Sequence, residues 1–404
     1  MFNESYVKYF DGSFRTVNPE ETIENYEEKL KIAGITRISD ITHLDSVGIP
    51  VFSAIRPTAQ EGGVSVYSGK GATKIQAKAS AMMEGFERYS AEKQNIDNEK
   101  IIKEAYQKIE NPIELNNLNV PKVDYDIDEV EWVESTEINS GKKYHVPSNS
   151  VFHPYSSSSS FKLFRSNTNG LASGNVLEEA VLHGIFEVVE RDAWSIFELT
   201  RLNNKEVELN DFKNPLIDEM LEKFTNSNIE IKLMDLTADV NIPTIAASSD
   251  DKLLKDPALL TLGVGTHLNP EIAVLRALTE VAQSRVTQIH GTREDTTRAD
   301  FMRKAGYERM KKINRHYFQH DDEKININDI KDKSSKSLKN NIETSIGELK
   351  KASLDKVLFV DLTRKEIGVS VVRMIIPGAE LYSVDSDRVG KRAFEYENRV
   401  NNLN

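Results

Sequence analysis

Residues 80–88 read Ser80-Ala-Met-Met-Glu84-Gly-Phe-Glu87-Arg88, and further along the chain comes Asn175-Val-Leu-Glu-Glu179, followed by Glu187-Val-Val-Glu190-Arg191-Asp192. Residues three and four apart are neighbours on a helix, so each Glu-x-x-Glu-Arg sets two carboxylates and a guanidinium on one face. Two such faces brought together would suit a divalent cation and phosphate. The second stretch also reads as an ordinary amphipathic surface helix. Glu179, His183, Glu187, Glu190 and Arg191 share one arc, and Val181, Ile185, Val188 and Val189 lie opposite. No Lys occurs from Asn167 through Arg201, however, and an acidic strip without nearby Lys repels itself unless a cation compensates it.

Outward from these helices the patterns alternate. A first helix is predicted over Pro19–Gly34, started by Asn18 and Pro19. Strands are expected at Val51–Ile55 and Gly63–Tyr67, and the loop Ser68-Gly-Lys-Gly-Ala-Thr leads into a helix over Lys74–Lys93. Extended segments are predicted over Asp124–Tyr144. A serine tract, Ser156–Ser160, precedes a polar loop at Asn167–Asn175, which opens a helix over Val176–Leu199. Asn175 and Glu178 read as an N-cap pair. Strands follow at Ile229–Leu236 and Ile242–Ser248. A third helix covers Pro270–Ile289, with Arg276, Glu280 and Gln283 on one face and no Lys between Asn269 and Gln288. The charged stretch His320–Lys339 reads as a surface excursion. A helix over Ile342–Ala352 and strands at Val357–Leu362 and Val369–Ile376 end the pattern. The fold class is α+β, expected as one domain with an N-terminal region 1–60, a core 61–300 and a C-terminal region 301–404.

Composition narrows the function. Among 404 residues, 64 acidic against 52 basic side chains give a net charge of -12, which leaves no electrostatic footprint for nucleic acid. There is no cysteine, which excludes disulfides, thiolate metal ligands and a Cys nucleophile on this chain. No signal-peptide pattern and no run of membrane-spanning length occurs, so a cytoplasmic protein without membrane contact is expected. Glycines around Lys70 suggest a phosphate loop, but Val64 stands where its first Gly belongs and Gly71 where Ser or Thr should bind magnesium. Gly263-x-Gly265 lacks the third glycine of a dinucleotide fingerprint, because Leu268 takes that place. His145, His153, His267 and His290 have no metal-ligand spacing and read as structural, and without clustered His a metal-dependent hydrolase is disfavoured.

The blocks together resemble the YcaO family. The resemblance is carried by Ser68-Gly-Lys-Gly-Ala-Thr with Ala77, Ser80, Glu84, Glu87 and Arg88, by Asn167–Gly174 with Asn175, Glu179, Glu187, Glu190, Arg191 and Asp192, and by Arg276, Glu280, Gln283 and Arg285. Val371-Val-Arg373 with Pro377-Gly378 matches at the C-terminal side, and Asp45-x-x-Gly48-Ile-Pro-Val with Arg56-Pro57 at the N-terminal side. The resemblance implies an ATP-binding fold of mixed sheets with carboxylate-bearing helices around the nucleotide. Glu84, Glu87, Glu187 and Glu190 would ligate Mg2+. Ser80, Glu84, Asn175, Glu179, Arg191, Arg276 and Glu280 would bind ATP, with Lys8, Arg15 and Arg56 as further phosphate contacts.

In this family a nucleophile adds to a peptide backbone amide, ATP phosphorylates the amide oxygen, and phosphate leaves. A Cys, Ser or Thr side chain gives an azoline; sulfide gives a thioamide. Azoline-forming members usually end in a proline-rich tail, whereas no proline follows Pro377 here. The expectation is a stand-alone member resembling the methanogen type that converts a glycine of the methyl-coenzyme M reductase alpha subunit to thioglycine. Such a protein would act as a homodimer, use sulfide or a sulfur donor, and work with a TfuA-like partner. Alternatives are an azoline-forming cyclodehydratase, a member acting in ribosomal protein methylthiolation, and a nucleotide-binding scaffold.

Overall fold

A computed structural model describes residues 2–120, 129–156, 163–292, 298–318 and 323–402. The chain opens with a hairpin, β1 (Lys8–Phe10) and β2 (Ser13–Arg15), and helix α1 (Pro19–Tyr26). Strands β3 (Arg37–Asp40), β4 (Val51–Ile55) and β5 (Val66–Lys70) lead to α2 (Lys74–Ala91). Then come β6 (Ile101–Glu104), β7 (Val130–Glu137), β8 (Lys143–Pro147) and β9 (Leu171–Gly174), followed by α3 (Leu177–Thr200). Strand β10 (Lys205–Glu208), α4 (Pro215–Asn226), β11 (Ile229–Asp235), β12 (Thr244–Asp251) and β13 (Leu262–Thr266) run into α5 (Pro270–His290). The rest comprises α6 (Arg298–Ala305), α7 (Tyr307–Ile313), β14 (Lys324–Asn326), α8 (Leu338–Lys351), β15 (Leu358–Asp361), β16 (Ser370–Ile375) and α9 (Arg392–Asn401).

The larger sheets are mixed in origin along the chain, which makes the fold α+β. One runs β6-β7-β15-β16-β9, with β8 also on β7; another runs β13-β12-β11-β10-β14; a third is β3-β4-β5. Among the described residues the named strands pair antiparallel except β10 with β14.

Each carboxylate-bearing helix lies on a strand that ends just before it, and glycine allows the approach. A Cβ on Gly69 of β5 would fall 2.0 Å from the Ala81 nitrogen of α2, and one on Gly263 of β13 would fall 2.2 Å from the Ala277 oxygen of α5. Gly174 at the end of β9 does the same for α3, where a Cβ would meet the Ala180 nitrogen at 2.6 Å. The glycines that resemble nucleotide loops in the sequence are therefore strand–helix contacts. Thr73 and Gln76 close a capping box that starts α2, and Asn269 caps α5. A fully buried Arg285 of α5 reaches Asp45 at 2.8 Å and Asp251 of β12 at 3.1 Å, fixing the helix to two other segments.

Several boundaries differ from expectation. The first helix stops at Tyr26, because the chain tightens into a 3-10 turn and then presents the Ala33 carbonyl to Arg56 at 2.8 Å. The strand expected at Gly63–Tyr67 lies at Val66–Lys70, where the length of β4 sets the register Ile55 to Val66 and Val51 to Lys70. Asn167–Asn175 is not all loop: Leu171–Gly174 pairs with β16. The N-cap of α3 is Val176, not Asn175. That helix is no surface helix, since Glu178, Glu179, Glu190 and Asp192 are all buried along with its apolar residues. Lys324–Asn326, within the expected surface excursion, adds the edge strand β14 in parallel to β10. Residues 124–128, 157–160 and 320–322 of the expected segments lie outside the described residues. Among the described residues no helix is long and apolar enough to cross a membrane.

Candidate active site

Helices α2, α3 and α5 turn their polar faces into one cavity of about 370 Å3. Of the residues singled out in the sequence, Arg15, Ser80, Glu84, Glu87, Asn175, Glu179, Glu187, Glu190, Arg191, Arg276 and Glu280 all line it. Two do not. Arg56 is buried in an ion pair with Glu92 and also contacts Tyr67 at 3.2 Å, so its charge is neutralised away from the cavity wall. Lys8 sits exposed on β1 and does not reach the wall either. The wall also includes Lys70, Arg88, Ser173, His183 and Gln283. Arg88 and Gln283 were visible in the helical faces; Lys70 and Ser173 sit on strands and carry no spacing signal.

The groups fall into two neighbourhoods. In one, Arg88 lies 3.1 Å from Glu84, and Ser173 of β9 donates to Glu87 at 3.3 Å. In the other, Arg191 lies 3.5 Å from Glu190 and 3.9 Å from Glu280, Arg276 lies 3.9 Å from Glu190, and Lys70 is ion-paired with Glu280. Arg191 is further held over the Trp194 ring at 5.1 Å. On the α1 side, Glu179 accepts from the Asn175 backbone at 2.8 Å and from Thr16 at 3.3 Å, with Arg15 at 3.7 Å, while Thr22 donates to Asn175 at 3.0 Å. The hairpin and α1 thereby close one end of the cavity.

Charge is unbalanced at the carboxylates. Burial, reinforced by Glu187 and Glu84, pushes Glu87 up to about 8 against the opposing pull of Arg88. Burial also raises Glu190 to about 7 despite Arg191, with Glu280 adding to the rise, and it raises Glu187. His183, desolvated and faced by Arg276, Arg15 and Lys70, is held well below its ordinary range and stays neutral. One oxygen each of Glu179 and Glu190 and the Nε of Arg88 and Arg276 are buried without a hydrogen-bond partner. Desolvated carboxylates with unused oxygens are the surroundings a hard divalent cation fits, and unused guanidinium donors beside them fit phosphate. Among the described residues no three His, Asp or Glu side chains converge closely enough to hold a metal by themselves. Phosphate or water oxygens would have to complete a magnesium shell here. When bound, magnesium would supply neutralisation of phosphate charge.

Residues 68–380 match a family model described as YcaO cyclodehydratase, ATP- and Mg2+-binding. An uncharacterized protein of Methanothermobacter thermautotrophicus is 52% identical over 94% of this chain and 98% of its own length. An uncharacterized protein in the tfuA 3' region of Rhizobium leguminosarum bv. trifolii is 30% identical over 91% of this chain and 89% of its own. The solved structure of YcaO from Methanopyrus kandleri bound with AMPPCP and Mg2+ superposes with a TM-score of 0.79 at 31% identity, covering 96% of this chain and 98% of that one.

Proposed function

Because this chain belongs to the YcaO family, we propose that it consumes ATP with magnesium ion to activate a peptide backbone amide, with sulfide as the nucleophile that replaces the amide oxygen. Sulfide adds to the amide carbon, the former carbonyl oxygen takes the γ-phosphoryl group, and collapse of the adduct expels phosphate and keeps the C–S bond. The products are a thioamide, ADP and inorganic phosphate; at glycine the product is thioglycine.

The observation that carries the reading is the convergence of two Glu-x-x-Glu-Arg helices and the Arg276–Glu280 face of a third on one cavity. In this reading Glu84, Glu87, Glu187 and Glu190 would hold magnesium, while Lys70, Arg88, Arg191 and Arg276 would take up phosphate charge. Ser80, Asn175 and Glu179, with Arg15 behind Glu179, position the nucleotide. Such a site needs little covalent chemistry from the protein, since in-line transfer depends on positioning and charge neutralisation.

Sulfide as the nucleophile is supported by relatives in two methanogens that match this chain over nearly its whole length. The same likeness favours the alpha subunit of methyl-coenzyme M reductase as the substrate. A relative named for its place beside tfuA supports a TfuA-like partner. The family's description as cyclodehydratase favours a second reading, closure of a Cys, Ser or Thr side chain onto the preceding amide to give an azoline.

The two separate by mass. The chain is incubated with ATP, magnesium chloride, sulfide and a glycine-containing peptide that lacks Cys, Ser and Thr. Exchange of oxygen for sulfur, with peptide-dependent phosphate release, is expected. Modification confined to peptides with those side chains, with loss of water and no need for sulfide, assigns azoline formation. Phosphate release that ignores the peptide, with no mass change in any of them, removes both readings.

A further inference from the structure

Arg191 reaches the cavity with little to orient it. Its nearest carboxylates, Glu190 at 3.5 Å and Glu280 at 3.9 Å, stand farther off than a hydrogen bond, and among the described residues none fixes its guanidinium. Arg88, by contrast, donates to Glu84 at 3.1 Å. The contact left to Arg191 is Trp194, three residues on, whose ring centre lies 5.1 Å from the guanidinium carbon. Helical side chains lean toward the N-terminus, which brings residue 194 back onto residue 191. Trp194 itself is not part of the cavity wall.

The Trp194 ring is braced at its edge. Its Nε1–H donates to the Tyr317 hydroxyl at 2.6 Å, and that hydroxyl donates in turn to Glu198, farther along α3. Charge sets this direction. Burial works against the Glu198 charge, but His316, Tyr317 and Arg201 hold its carboxyl down at about 2, so its oxygens only accept. Burial, with Glu198 beside it, keeps the Tyr317 phenol protonated. Tyr317 is buried, packs on Phe197 with ring centres 5.5 Å apart, and its carbonyl accepts from Ser248 of β12 at 2.7 Å. A continuous set of contacts thus runs from β12 through Tyr317 and Trp194 to Arg191. The Arg191 backbone is tied separately, since its carbonyl accepts from Ser195 at 2.5 Å and from Ser383 at 3.1 Å. What Trp194 adds is the orientation of the side chain.

We propose that Trp194, braced by Tyr317, is a positioning residue that holds the Arg191 guanidinium ready for nucleotide phosphate. An aromatic face restrains a flexible cation without occupying its N–H donors, which stay available to phosphate oxygens. A carboxylate partner would occupy those donors and offset the charge. The proposal rests on the reading of the cavity as a nucleotide site and adds to it a residue outside the wall.

A double-mutant cycle on the full chain tests it, with AMPPCP and magnesium chloride as the probe and calorimetry as the readout. Arg191→Met is expected to weaken binding about tenfold or more, and Trp194→Leu roughly three- to thirtyfold, the range of a cation–π contact. The double variant should bind no more weakly than Arg191→Met, because Trp194 has nothing to act through once the guanidinium is gone. Trp194→Phe keeps a face without the donor, and Tyr317→Phe removes the brace; each should lie between wild type and Trp194→Leu. These two variants carry the test if Trp194→Leu does not fold. The chain has two tryptophans, so nitrogen-15 labelling gives two indole signals. One should move in Arg191→Met, in Tyr317→Phe and on addition of AMPPCP, while that of Trp132, whose indole donates to the Glu104 carbonyl, should stay. Additive losses in the double variant, or wild-type affinity in the Trp194 variants that fold, overturn the proposal while a weakened Arg191→Met leaves the nucleotide reading standing. Wild-type affinity in Arg191→Met removes Arg191 from the nucleotide site, and the proposal with it.

Discussion

Lys70, the last residue of β5, is ion-paired across the cavity with Glu280 of α5. Burial works against the Glu280 charge, yet Lys70, Arg191 and Arg276 together hold its carboxyl below the ordinary range. Lys70 thus offsets one of two neighbouring carboxylates, Glu190 and Glu280, that would otherwise repel each other. Lys70→Met is expected to weaken binding of a non-hydrolysable ATP analogue by about tenfold or more, the loss of a half-buried cation at the proposed phosphate site, with Lys70→Arg recovering part of it. Calorimetric titration of the three proteins checks this, and unchanged affinity in Lys70→Met would remove Lys70 from the site.

Glu84→Ala and Glu190→Ala are expected to lose magnesium-dependent nucleotide binding while keeping the native circular dichroism spectrum. Both carboxylates face the cavity and neither supports an element of the fold, whereas each has an arginine neighbour that would remain. In metal-free solution the melting temperature of Glu190→Ala should hold or rise, because burial, with Glu280 beside it, raises that carboxyl to about 7, whereas Glu84→Ala should lower it by leaving Arg88 without its partner at 3.1 Å. Wild-type affinity in both variants, measured by calorimetry with magnesium present, would contradict the assignment.

The pH dependence of stability follows from Glu87. Its carboxyl titrates at about 8 in the folded chain, above its ordinary value of 4.5. Between those values the folded state keeps a proton that the unfolded state has released, so this group's contribution is fully present below about pH 4.5 and is lost as pH rises toward 8. The loss should be on the order of 1–3 kcal/mol after allowance for the cavity's access to solvent. Chemical denaturation in chelator at pH 5 and pH 8 should show it, and Glu87→Gln should lack it. Excess magnesium with nucleotide should flatten the same slope by stabilising the charged carboxylate. An identical pH slope in wild type and Glu87→Gln would refute the account.

The lining of the candidate cavity was largely legible in the chain because helical periodicity is a local property. Glu84, Glu87, Glu187, Glu190, Arg191, Arg276 and Glu280 follow three- and four-residue spacings, and all of them reach the cavity. What periodicity cannot carry is which face of a helix a distant segment covers. The polar arc of α3 resembles a solvated face, yet Glu179 and Glu190 are buried, with Arg15 of the hairpin strand β2 beside Glu179, and His183, Glu187 and Arg191 line the cavity. Asn175 illustrates the same limit. Its pattern suggested a cap on Glu178, but its backbone donates to Glu179 and its side chain to the same oxygen at 3.2 Å, so it positions the carboxylate instead of starting the helix. Lys70 and Arg56 are opposite cases. Both are single cations near glycine or proline, and only tertiary contact separates the one paired with Glu280 at the cavity from the one paired with Glu92 elsewhere.

The absence of cysteine gives a last prediction, about how sulfur travels. A persulfide carrier needs a thiolate, and this chain has none, so in the proposed thioamide chemistry sulfur must reach the peptide as free sulfide or from a carrier on another protein. Incubation with iodoacetamide, followed by removal of the reagent before substrates are added, is therefore expected to leave turnover with sulfide unchanged. Alkylating a sulfur-donating partner in the same way should abolish turnover that depends on it, and free sulfide should restore it. Loss of activity after alkylation of this protein alone would show that another of its nucleophiles takes part in the reaction, and the direct sulfide route would have to be abandoned.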